Sequence, residues 1–135
     1  MKQVLSVEQM KHLQELGLDT SDASIHWQYL PTADAIINGT DEIEKEPTLF
    51  VSQPNMKHEY PAYTLQDILD KLPTLIIISS DFYKICIEPS CGYWDIYYYK
   101  SDATELISKK SENIIDVAYD MLCWCIEKGY IKTKE

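Results

Sequence analysis

The chain has no arginine: every one of its twelve basic side chains is a lysine, set against twenty-two acids for a net charge of −10. Bidentate recognition of phosphate or guanine leans on the guanidinium fork, so the missing arginine and the overall sign both argue against direct nucleic-acid binding. Glycine is almost as scarce, with Gly17, Gly39, Gly92 and Gly129 as the whole supply. A glycine-rich phosphate cradle is thereby excluded, and G-x-S-x-G and H-E-x-x-H are absent as well. No apolar run approaches the ~18 residues of a membrane span, and the opening MKQVLSVEQM holds no apolar signal-peptide core. These absences predict a cytoplasmic protein without membrane contact. At 135 residues and 45% hydrophobic content, the expectation is one domain, 1–135, with a single core.

What is present is mostly architecture. From Ser111 to Tyr130, Ile114, Val117, Ala118, Met121, Leu122 and Cys125 recur at three- and four-residue spacing, while Glu112, Asp116, Asp120 and Glu127 fall on the other side. Ser111 as cap, Lys128 in the last turn and Gly129 beyond it predict a long helix over 112–128. A shorter helix is expected after Ser6, with Val7, Met10, Leu13 and Leu16 as its stripe and Gly17 as its stop. Another lies within PAYTLQDILDKLP at 61–73, where Thr64 caps, Asp67 stands three residues on and Pro73 terminates. Ile25, Trp27 and Tyr29 alternate with polar neighbours as a strand, and Thr48 to Val51 reads as another. Between them, 32–46 shows no period, with a turn at Asn38-Gly39 and a mobile acidic loop carrying Asp41, Glu42, Glu44 and Glu46; 53–60 is read as irregular. That loop lacks the fixed glycine of a calcium loop.

Residues 75–100 predict a three-stranded antiparallel meander. With turns at Ser80-Asp81 and at 89–92, Ile78 faces Tyr83, Ile76 faces Ile85, Ile85 faces Ile96 and Ile87 faces Trp94. Ile76, Ile78, Tyr83, Ile85, Ile87, Trp94, Ile96 and Tyr98 then share one apolar face for the C-terminal helix to cover. The opposite face carries Phe82, Lys84, Tyr93, Asp95, Tyr97 and Tyr99, too aromatic for a wet surface and too charged for a core. Such a face suits cover by the N-terminal half, or a contact with a protein partner or a second copy as a homodimer. It is the candidate interaction surface.

The reactive side chains point to no chemistry. Cys123 and Cys125, two apart on a helix, diverge by about 200° and cannot share one ion; Cys86 and Cys91 would sit in mid-strand and at a turn. All four read as reduced thiols, with no metal or cofactor expected. His12, His26 and His58 have no nucleophile motif beside them, so no catalytic residue is assigned.

The runs PAYTLQDILDKLP at 61–73 and DVAYDMLCWCIEKGYI at 116–131 resemble those of short uncharacterised proteins of bacterial prophages and mobile elements. The resemblance covers about the last 75 residues and implies a phage-like, cytosolic setting; it brings no activity and no functional residue with it. Together these features predict an α+β fold, with an antiparallel sheet formed by meander 75–100 plus the N-terminal strands under helix 112–128. The expected function is non-enzymatic protein interaction, through the aromatic sheet face or the acidic loop. Mimicry of nucleic acid is a narrower form of it, requiring carboxylates in rows at phosphate spacing. The reading from another class is a small enzyme or ligand-binding module with a pocket lined by Trp27, Tyr29, Tyr97 and Tyr99, onto which His26 converges.

Overall fold

The computed structural model describes residues 2–52 and 60–133. Ser6 starts α1 (Val7–Glu15) with a reciprocal capping box: its hydroxyl accepts from the Gln9 amide while the Gln9 side chain accepts from the Ser6 amide. Val7, Met10 and Leu13 are the buried stripe. β1 (Ile25–Gln28) follows, then α2 (Ala33–Asn38), β2 (Thr48–Val51) and β3 (Tyr60–Ala62).

Helix α2 corrects the reading of 32–46 as aperiodic loop. Six residues make fewer than two turns, too few to show a period, and Ile36 and Ile37 are exposed, so no apolar stripe marks it. Its ends are well formed: the Thr32 hydroxyl accepts from the Ala35 amide, and Gly39 closes it in the left-handed region at φ 67°. The acidic turn behind it is pinned. Glu44 donates its amide to the Leu30 carbonyl at 2.8 Å, and Thr32 donates to the Glu42 carbonyl at 3.1 Å. Residues 53–59 of the segment read as irregular lie outside the described residues, and Tyr60 belongs to β3.

β1, β2 and β3 form a sheet of their own, ordered β2-β1-β3, rather than extending the meander. Thr64 and Asp67 make a second capping box at α3 (Leu65–Lys71), and Leu72 turns extended ahead of Pro73. The larger sheet then runs β4 (Leu75–Ile78), β5 (Asp81–Ser90), β6 (Tyr93–Tyr99) and β7 (Glu105–Ser111) in chain order.

The register differs from expectation by two residues in both hairpins. Ile76 pairs with Tyr83 and Ile78 with Asp81; Ile85 pairs with Tyr98 and Ile87 with Ile96. The turns are two-residue loops at Ser79-Ser80 (φ 48° and 74°) and Cys91-Gly92 (φ 41° and 84°). Positive φ at both positions is the primed geometry that fits strand twist, and neither Ser-Ser nor Cys-Gly advertises it as Asn-Gly would. Because a strand repeats every two residues, the even shift leaves each side chain on its expected face. β7 is a strand that the sequence does not announce: Ser108, Lys109, Lys110 and Ser111 make it too polar to read as one, although Ile107 pairs with Tyr98 and Lys109 with Ile96.

Since β7 ends at Ser111, helix α4 (Ile114–Glu127) begins two residues later than expected. Its cap is Asn113, whose side-chain oxygen accepts from the Ile115 amide at 2.9 Å. Met121, Leu122 and Cys125 are fully buried in one cluster with Ile96 and Tyr98, and α4 packs on β6, β7 and α3. Cys125 meets the Tyr98 hydroxyl of the sheet, while Asp116, about 180° round the helix, accepts from Lys2 and Gln9, and the Tyr119 ring meets His12. The sheet thus lies on one side of α4 and the N-terminal layer on the other, which is why Ile115, Cys123 and Ile126 are buried too. No described helix is long and apolar enough to cross a membrane.

Candidate functional site

Among the described residues all the helical cover lies on one side of the four-stranded sheet, and the other side is open. The strand register fixes what that outer face presents. Across it run the rows Leu75, Lys84 and Tyr99; Cys86, Tyr97 and Ser108; and Glu88, Asp95 and Lys110, with Ile77 beside Phe82 near one end and Ser90 beside Tyr93 at the other. Ile77 is 59% exposed, Phe82 55%, Tyr93 50% and Leu75 41%. The six residues expected to share a surface do share it. The cover expected from the N-terminal half is absent: among the described residues that half packs against α4 and leaves Phe82, Lys84 and Tyr93 exposed and Tyr97 and Tyr99 half-buried, Asp95 alone of the six being buried.

The face is nevertheless ordered at its centre. Asp95 is 8% exposed and accepts from the Ser108 hydroxyl at 2.8 Å, with Lys110 next to it on β7 and Glu88 on β5. The Ser108 hydroxyl offsets part of the cost of burying this carboxylate, which unmatched would be several kcal/mol, while Glu88 adds a like charge beside it. Tyr97 and Tyr99 lie with ring centroids 5.5 Å apart. The Cys86 thiol beside Tyr97, aided by desolvation and by Glu88, lifts the Tyr97 pKa above the ordinary tyrosine value. At the β4-β5 end, a half-open cleft of about 590 Å³ is lined by Ser80, Asp81, Phe82, Lys84, Tyr99, Lys100 and Ser101. Lys100 reaches Asp81 and Asp102, each at 3.8 Å. Glu105, Ser108 and Lys110 belong to the surface as well and escaped the sequence reading with β7; the weak signal was Ile107 between polar neighbours.

The other candidates are scattered. Trp27 donates its indole N–H to the Leu5 carbonyl at 3.0 Å, and Tyr29 packs edge-on against Tyr60 at 5.3 Å, both on the smaller sheet's side of the molecule. Of Trp27, Tyr29, Tyr97 and Tyr99, only Tyr99 lines the cleft above. His26 stacks on Phe50 at 5.9 Å, with Ser52 Oγ 3.4 Å from its Nδ1. His12 stands 3.9 Å from Glu15, and His58 lies outside the described residues. Glu42, Glu44 and Glu46 border a shallow concavity of about 550 Å³ with Thr32, Ile43 and Lys45. Among the described residues no group of three or more histidines, cysteines or acids is placed to hold a metal ion.

The four cysteines are free thiols: Cys91 exposed at a hairpin turn, Cys86 half-buried, Cys123 and Cys125 buried. Burial pushes the Cys123 and Cys125 thiols up to about 11, so neither is a thiolate near neutrality. What the open face can do chemically is bind, through apolar area with charges at fixed intervals. No protein-family model matches the chain, and no curated protein and no solved structure matches it.

Proposed function

We propose that the protein is a non-enzymatic interaction module that makes protein contacts through the outer face of its larger sheet. The observation behind this reading is the exposure of Leu75, Ile77, Phe82 and Tyr93 on one side of a sheet whose other side is a packed core. Large apolar side chains gathered on one face lose free energy to water at roughly 25 cal/mol per Å², and aromatics dispersed among a few charges are the composition of contact surfaces. The resemblance of 61–73 and 116–131 to prophage proteins adds a phage-like, cytosolic setting to the proposal.

The test is affinity capture from host extract with the intact protein and with a Phe82→Asp/Tyr93→Asp variant, quantified by mass spectrometry. Both substitutions fall at exposed positions, so thermal melts of the two proteins should agree. A bound protein that the variant loses supports the reading; an identical captured set for both, from a protein that does not self-associate, sinks it. The second reading, ligand binding, draws on the cleft between Phe82 and Tyr99, whose aromatic walls and Lys84 ammonium suit an aromatic compound with an acidic group, Lys100 being held by Asp81 and Asp102. Titration with such compounds, followed by chemical shifts of Phe82 and Tyr99, decides it: saturable shifts at both residues support it, and their absence removes it.

A further inference from the structure

The charges on the outer face are arranged antisymmetrically. Taking the row Cys86, Tyr97, Ser108 as the midline, β5 carries Lys84 two residues to one side and Glu88 two residues to the other. β7 carries the reverse: Glu105, paired with Tyr99, lies on the Lys84 side, and Lys110, paired with Asp95, lies on the Glu88 side. The chain as a whole is strongly acidic at −10, yet this patch sets two lysines against two exposed glutamates, with Asp95 already occupied by Ser108.

We propose that the occupant of this face is a second copy of the chain, stacked sheet on sheet about a two-fold axis that lies in the interface along the Cys86-Tyr97-Ser108 row. This rests on reading the face as a protein-contact surface. A two-fold interface is self-complementary, so a residue on one side of the axis meets the residue at the mirrored position in the other copy. Lys84 then faces Glu88 of the second copy and Glu105 faces its Lys110, each contact occurring twice. Tyr93 of one copy falls beside Phe82 of the other, which covers the two most exposed aromatics of the face. Residues on the axis meet themselves, so the two Cys86 thiols approach each other. The strands of the two copies run antiparallel within the ~30° offset usual for stacked sheets. An unrelated basic protein would satisfy Glu88 and Glu105 but would set its own charge against Lys84 and Lys110; a second copy satisfies all four.

Strands about 4.8 Å apart, rising about 3.3 Å per residue, make a face of roughly 19 by 23 Å. That is small beside the ~800 Å² per partner of a standard interface, so the dimer should dissociate in the micromolar range. The test is made in a Cys91→Gly background, which removes the exposed thiol and suits its positive φ. Sedimentation equilibrium should give a concentration-dependent monomer–dimer equilibrium, and a short bismaleimide should cross-link the dimer through Cys86 and fail on Cys86→Ser. Lys84→Glu places like charges together twice and should weaken the dimer at least about tenfold. Lys84→Glu/Glu88→Lys restores opposite charges across the axis and should return the dissociation constant to near its starting value.

A protein that is monomeric through the high-micromolar range overturns the proposal, as does a dimer indifferent to Lys84→Glu, one the double exchange does not rescue, or one that Cys86 does not cross-link. Capture with the Phe82→Asp/Tyr93→Asp variant separates the two levels. A monomer whose heterologous partner is lost with that variant removes only the second copy; a monomer with an unchanged captured set removes the contact surface too.

Discussion

The interior around α4 makes the fold labile to alkali. Tyr63 and Tyr98 are fully buried, the first donating from its hydroxyl to Asp22 at 2.8 Å, the second to the Pro73 carbonyl at 2.6 Å. Burial, above all, raises both phenols, Asp22 adding to it for Tyr63 and Cys125 for Tyr98; burial likewise brings the Cys123 and Cys125 thiols up to about 11. For all four groups the folded pKa is raised, so the folded protein holds these protons after the unfolded chain has released them. The stability they contribute is intact below the unfolded thiol range and is lost as pH climbs through it and then through the phenol range. Between pH ~8 and ~10 the loss should come to about 3 kcal/mol, most of it from the two thiols, and it should grow further by pH ~11, a large fraction of the whole stability of a small domain. Urea unfolding followed by tryptophan fluorescence at several pH values measures the slope. Cys123→Ala/Cys125→Ala serves as control: its own loss over pH ~8 to ~10 should shrink to about 1 kcal/mol, whatever its starting stability. A wild-type stability that stays flat to pH ~10, or a double variant that falls as steeply as the parent, would refute the reasoning.

Three further outcomes follow from the packing. Leu122→Ala, at a fully buried position of α4, should cost about 3 kcal/mol and lower Tm by roughly 10 °C, read by calorimetry. Thr64→Ala removes the hydroxyl that accepts from the Asp67 amide at the start of α3 and should cost about 1 kcal/mol in urea midpoint, with the denaturant slope unchanged. Ser79→Asn/Ser80→Gly supplies the residues that a two-residue turn with two positive φ angles prefers, and should stabilise by roughly 1 kcal/mol in the same measurement; destabilisation would contradict the turn assignment.

The parts of the fold that could be read from residues alone are those in which side-chain period and local chemistry agree. The stripe of α4, the capping boxes at Ser6 and Thr64, and the two faces of the meander all meet that condition. Hairpin register was legible only modulo two. Alternation constrains which face a residue takes, while the exact pairing depends on turns that Ser79-Ser80 and Cys91-Gly92 form without their usual signals. α2 and β7 were not legible because little in either is large, apolar and buried: α2 buries Ala35 and leaves Ile36 and Ile37 in solvent, and β7 sets Leu106 and Ile107 among two lysines and two serines. The separation of the strands into two sheets follows from long-range pairing of β1 with β2 and β3, which no local pattern encodes. The outer-face residues were identifiable as a group from strand parity, whereas their charge antisymmetry needed β7.

The openness of that face follows from where α4 points its second side. A sheet in an α+β domain has two faces, and a chain of 135 residues has one other large segment, the N-terminal half, able to cover the second. Here Lys2 and Gln9 are tied to Asp116 and the His12 ring to Tyr119, and Tyr63 is buried in one cluster with Met121 and Leu122, so this half is spent on the back of the helix. The helix gains burial on two sides, leaving Asp120 and Glu127 exposed between them, and so it buries Cys123 and Ile126 as well as the residues that face the sheet. The same choice leaves Phe82, Tyr93 and Ile77 at least half exposed, with little of their apolar surface used by the fold itself. Large apolar side chains on a broad sheet face that no described segment covers are what supports the proposal of a contact with another chain.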